Sequence, residues 1–89
     1  MSEPMVGKRV ELIPQEGDFQ RLKPGEYGKW HEDGTWYGDT PNDHGCWLKA
    51  HTVVEHEDGT ITVSPSILVS DNKGPLWHGF LEHGIWREA

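Results

Sequence analysis

Six histidines and one cysteine are the side chains in this sequence best suited to holding a metal. His44-x-Cys46, with His51 and His56 downstream, combines imidazole and thiolate, a mixture that zinc accepts. The spacing matches no standard finger, and one cysteine is too few for the usual structural zinc sets. Polar histidines on turns and strand faces are the plainer reading. His31, His56 and His83 each stand beside a glycine-containing turn and next to a Glu, where exposure is the default. Cys46 near His44 also suggests a thiol nucleophile, but the sequence names no third group to orient the pair. Ser64 and Ser66 flank Pro65, and no base is positioned for either by sequence. Their hydroxyls are better suited to bonding nearby backbone groups at a corner of the chain. There is no Gly-x-Ser-x-Gly elbow, phosphate loop or His-Glu-x-x-His. Carboxylates are plentiful, yet a general acid and base need a cleft, which a small sheet rarely offers. These residues point to a protein that is not an enzyme and needs no cofactor. A zinc-supported module on His44, Cys46, His51 and His78 is the alternative.

Binding has more support. Five Trp, two Tyr and two Phe supply area to a chain of 89 residues that is only 34% hydrophobic. In a domain this small most Trp must serve the core. One left exposed marks a protein interface, where Trp is enriched among hot spots, or a stacking platform for a sugar or peptide. Trp36, Trp47 and Trp77 are the candidates. Glu32-Asp33 and Glu57-Asp58 occupy two predicted hairpin tips and are the candidate acidic contacts. The net charge is −7 and the eight Lys and Arg are scattered, which argues against direct nucleic-acid binding and fits a basic protein partner. Carboxylates gathered on one face would instead mimic nucleic acid.

The elements that position these residues are strands. Thr52–Glu55 and Thr60–Ser64 are β-branched runs separated by Asp58-Gly59, a strong hairpin signal. Ile61 and Val63 fall on one face, with Thr60, Thr62 and Ser64 on the other. Pro65 cannot donate to a ladder, so it is expected to end that strand or lie on an edge, passing Ile67 and Val69 into another layer. His31-Glu-Asp-Gly-Thr35 repeats the letters of His56-Glu-Asp-Gly-Thr60 and forms a second hairpin tip. A three-residue loop there pairs Trp30 with Trp36, and a two-residue loop pairs Trp30 with Tyr37. A third hairpin turns at His83-Gly84. Lys8–Ile13 reads as a short strand, Cys46–Ala50 as a short strand or turn, Gly38–Gly45 as a loop, and Phe19 and Leu22, three apart, as the docking side of one helical turn. Eleven Gly and six Pro disfavour long helices. The fold class expected is all-β: a small antiparallel sheet of about seven short strands and hairpins, curled into a roll or partial barrel. One domain covers residues 1–89, with 1–7 a loose terminus.

A single cysteine excludes an intramolecular disulfide framework and suits a reducing cytoplasm. The start lacks the basic and apolar regions of a leader, and no apolar run approaches membrane-spanning length. A homodimer that buries some of the Trp would ease the shortage of core.

The stretch His51-Thr-Val-Val-Glu-His-Glu-Asp-Gly-Thr-Ile-Thr-Val-Ser-Pro-Ser-Ile-Leu-Val, followed by Trp77-His-Gly-Phe-Leu-Glu-His-Gly-Ile-Trp-Arg-Glu88, resembles small uncharacterised proteins encoded by phages of actinobacteria. More loosely it is similar to a phage and prophage domain of unknown function with a Thr-x-Ser-Pro-Ser-Ile strand, a Cys-His-x-Phe segment and a Gly-x-Ile near its end. Thr62–Ile67, His78-Gly79-Phe80 and Gly84-Ile85 match these elements over the C-terminal half. The resemblance implies a β-rich fold and a phage origin, and no assigned activity. Trp77 stands where the family's Cys precedes His, so His78 is expected to serve as a structural hydrogen-bonding residue. The expectation is a phage accessory protein that binds a host or phage protein in the host cytoplasm. The alternatives are the zinc module and an acidic inhibitor of a host defence protein.

Overall fold

The computed structural model describes residues 3–12 and 22–89. Among them lie nine strands and no helix: β1 (Met5–Val6), β2 (Lys8–Arg9), β3 (Glu26–Lys29), β4 (Trp36–Asp39), β5 (Gly45–Trp47), β6 (Thr52–Glu55), β7 (Ile61–Asp71), β8 (Gly74–Glu82) and β9 (Ile85–Glu88). The all-β expectation holds. The strands divide, however, between two sheets, β1-β9-β8-β7-β6 and β2-β3-β4-β5, that face each other across one core as an open roll. All pairs between strands are antiparallel except β2 with β3, which is parallel. The Phe19–Leu22 helical turn falls largely outside the described residues.

Period-two alternation builds the core. Ile61 and Val63 of β7 point inward, as do Trp77 and Leu81 of β8 and Trp86 of β9, and all are buried. Tyr27 and Leu48 meet them from the smaller sheet. Gly79 occupies an inward position of β8 because the Trp77 ring and the Arg87 carbonyl fill the space a Cβ would need.

The residues before Lys8 are not loose throughout. Met5 pairs with Trp86, and its side chain packs on the core. The chain then crosses between the sheets at Gly7, whose N–H donates to the Gly84 carbonyl at 2.7 Å. A Cβ at Gly7 would stand 2.8 Å from both that oxygen and Trp86 Nε1. Trp86 ties the sheets together: its Nε1–H donates to the Gly25 carbonyl at 2.9 Å while its six-membered ring lies over Gly38.

The central hairpin forms as its sequence predicts, closed by His56 N–H to Thr60 O at 2.8 Å, with Gly59 at φ 88°. Identical letters at the other tip make a longer loop. Trp30 N–H donates to Thr35 O and Gly34 N–H returns to Trp30 O, so Trp36 pairs with Lys29 and both expected registers give way to a four-residue loop. His83-Gly84 forms the two-residue turn, with φ 46° and 75°.

Pro65 departs from expectation. β7 runs through it in the same sheet, and no layer change follows. Pairing with β6 ends at Ser64 while pairing with β8 skips from Val63 to Ile67. The residue without an N–H thus occupies a bulge where the ladder asks nothing of it.

Candidate functional site

The candidate residues separate once the sheets form. Trp77 is buried, 5% exposed, with its ring edge-on to Trp86 at 5.7 Å, so it is a core residue and not a contact. Trp36 is half-buried at the junction of the sheets, with the Arg9 guanidinium 5.1 Å and the Lys29 ammonium 5.5 Å from its ring. Both cations also reach Glu55 of the larger sheet, at 2.7 and 3.6 Å. Arg9 chiefly, with Lys29, holds the Glu55 carboxyl below its ordinary range. Trp36 therefore belongs to a cation–π and ion-pair clasp that joins the sheets.

Trp47 alone of the three is open to solvent, 59% exposed. It stands on β5, the last strand of the smaller sheet, and no described strand pairs with that strand's far side. Its neighbour across the ladder is Tyr37, whose ring lies parallel at 6.3 Å, and Lys49 sits 5.3 Å above the indole. Leu48 N–H bonds to Trp36 O, and His44 O accepts from Thr40 N–H. The even-numbered residues therefore face β4, and the alternation leaves the peptide groups of Gly45 and Trp47 on the open edge.

The acidic tips are half structural. Asp33 Oδ1 accepts from Thr35 N–H at 2.9 Å, and Asp58 Oδ1 accepts from the N–H and hydroxyl of Thr60 at 3.0 and 2.6 Å. These bonds hold both carboxyls below the usual range, with smaller help from Lys49 at Asp33 and from His56 and His83 at Asp58. Asp33 and Asp58 thus shape their turns. Glu32, its side chain 68% exposed and its carboxylate 3.8 Å from His31 Nε2, and the exposed Glu57 are the acidic side chains that face solvent at the tips. Lys49 links the first tip to Trp47, since it acts on Asp33 and lies over the indole. The second tip adjoins Arg9, which donates to the Gly59 carbonyl at 2.9 Å.

The proposed metal set does not assemble. His44 closes a loop through its backbone, with its N–H on Thr40 Oγ1 at 3.0 Å. Cys46 turns inward, donates weakly to Gly38 O at 3.4 Å, and its thiol is pushed up to about 12 by burial and by Asp39. His78 points out from the opposite face of the larger sheet, and no described group of three His, Cys, Asp or Glu could hold an ion. A buried neutral thiol is also a poor nucleophile.

Sequence reasoning missed two histidine arrangements. His78 Nε2 stands 2.9 Å from Ser66 Oγ, while His51 Nε2 meets the Ser66 carbonyl at 3.2 Å. His78 so plays the hydrogen-bonding part the resemblance suggested. The Ser–His distance suits a nucleophile and base, but the described contacts supply no third group on His78 and the pair lies on an open sheet face. His56 and His83 stack at 3.9 Å with planes 8° apart, and Thr62 Oγ1 contacts His56 Nε2 and His83 N–H. Parallel rings at that spacing cannot both point a lone pair at one ion, since each lone pair lies in its own ring plane. Nothing in the sequence brings these partners together.

Among the described residues, shallow depressions of about 270 Å³ include one by Arg9, Lys29 and His31 and another by Trp36, Lys49 and His51. No family model, curated protein or solved structure matches the chain.

Proposed function

We propose that this protein is a non-enzymatic phage accessory protein that works in the host cytoplasm by binding another protein, of host or phage origin. The observation that carries the binding reading is Trp47, left open on the unpaired edge of a sheet with Tyr37 parallel behind it. The phage origin and the compartment rest on the sequence resemblance and the single cysteine.

A folded chain short of apolar area keeps one of its largest apolar side chains outside the core. Covering the exposed part of Trp47 removes roughly 150 Å² from water, about 3–4 kcal/mol before the costs of association. That is the magnitude of an interface hot spot. The free peptide groups of Gly45 and Trp47 suit an extended segment of the partner, added as a further strand.

Tagged protein is used to capture partners from infected-host lysate, in parallel with Trp47→Ala. A stoichiometric protein retained by the parent and weakened at least about 30-fold by Trp47→Ala supports the reading. Equal capture by both chains refutes the assignment of Trp47.

A further inference from the structure

Glycine weakens a strand, because its bare backbone loses more freedom on folding and it packs no side chain on its neighbours. Nine of the ten described glycines have a reason in the fold, five by a positive φ and four by a Cβ that would stand 3.1 Å or less from another atom. Gly45 has neither reason. Its φ is not positive, and nothing lies within 4 Å of the place its Cβ would take. The position would accept any side chain, yet the strand carries none there.

That position is the start of β5, two residues before Trp47. The two-residue period of a strand puts the absent side chain on the face of the exposed indole, and the peptide groups of both residues lie on the open edge. The result is a notch of bare backbone beside Trp47. Asp39, across the ladder from Gly45, is buried, while Lys49 holds its ammonium 5.3 Å from the Trp47 ring.

We infer that Gly45 determines the specificity of this edge: the strand added by the partner sets an aromatic side chain into the notch over Gly45. The inference rests on the binding role proposed for the Trp47 edge and names the chemistry of what binds there. Two observations select an aromatic ring. An edge glycine is stabilised by an aromatic residue on the neighbouring strand, whose ring lies over the bare backbone and covers it from water. β4 places Asp39 opposite Gly45 and supplies no ring, so the ring must come from the strand on the far side. The second observation is charge. The Lys49 ammonium attracts the negative face of an aromatic ring, which an aliphatic side chain does not offer. A ring in the notch also continues the row begun by Tyr37 and Trp47, whose planes are 2° apart. A branched side chain at position 45 would fill the notch and close the site.

A displayed library of random linear peptides, selected on the full chain, tests this with Gly45→Val and Trp47→Ala. The selected peptides are expected to carry an aromatic residue in an alternating apolar segment, and to bind Gly45→Val at least about 30-fold more weakly than the parent. Gly45→Val is expected to melt at or above the parent, since a β-branched side chain suits a strand and has room there. A Gly45→Val chain that melts several degrees lower would make the glycine structural and overturn the inference. Peptides that bind Gly45→Val as tightly as the parent also overturn it. If those peptides are lost on Trp47→Ala, the Trp47 reading stands without the notch; if neither substitution weakens them, both readings fall. Selection of peptides without an aromatic residue, or of none at all, overturns the inference as well.

Discussion

Trp86→Phe isolates the contact that holds the two sheets on one core. The indole is 1% exposed, donates to Gly25 O at 2.9 Å, meets Trp77 edge-on and reaches over Gly38, where a Cβ would stand 3.1 Å from its far carbon. Phenylalanine keeps an aromatic ring but is too short to span from Gly25 to Gly38. The lost hydrogen bond amounts to about 1 kcal/mol, softened because Gly25 O still accepts from Lys8 N–H at 3.1 Å. The vacated half of the indole adds about 1–2 kcal/mol through lost burial and a residual cavity between the sheets. Together, about 2–3 kcal/mol lowers Tm by roughly 10–20 °C in a domain of this size. Thermal melts followed by circular dichroism read the shift, with Trp47→Phe as the exposed control, expected within about 3 °C of the parent. A Trp86→Phe protein that melts with the control would refute the sheet-bridging role.

Three further predictions use other contacts. Cys46 should resist a thiol reagent at pH 8 in the folded chain and react at once on unfolding, because burial keeps it protonated; prompt labelling of the native protein contradicts that. Asp58→Ala should lower Tm more than Glu57→Ala, while Asp58→Asn keeps an acceptor for Thr60 and loses less; equal effects of the two alanines would remove the turn role of Asp58. Glu55→Gln tests the clasp at Trp36. The folded carboxyl titrates below its ordinary 4.5, so its contribution is present at neutral pH and lost as pH falls through that lower range. The parent should melt above Glu55→Gln at pH 7 and converge with it in acid and in high salt, and a constant difference across pH would show that charge is not the cause.

What the sequence disclosed follows the range of each force. Turns are local, so Asp58-Gly59 and His83-Gly84 announced their hairpins, and Ile61 and Val63 announced their face by alternation. Loop length was less legible: His31–Thr35 and His56–Thr60 share five letters yet close four-residue and three-residue loops, because the flanking strands set the register. Pro65 was misread because its strand loses β6 and bulges against β8 there, which only the neighbouring strands decide. The division into two sheets was invisible for the same reason. That division sorts the Trp: Trp47 and Trp77 both sit in strands, and sheet placement makes one the open edge and the other core. The metal set dissolved likewise, since Cys46 and His78 face opposite ways from different sheets. The pairings of His78 with Ser66 and His56 with His83 join residues 12 and 27 positions apart and left no mark in the sequence.

The central claim is that a partner docks on the open edge at Gly45–Trp47. Hydrogen exchange of the chain with and without its captured partner tests it most directly. The Gly45 and Trp47 amides, free on that edge, should gain protection on binding, together with the neighbouring Lys49 segment. Unchanged exchange at those amides, with protection appearing elsewhere, would place the partner on another surface and contradict the account.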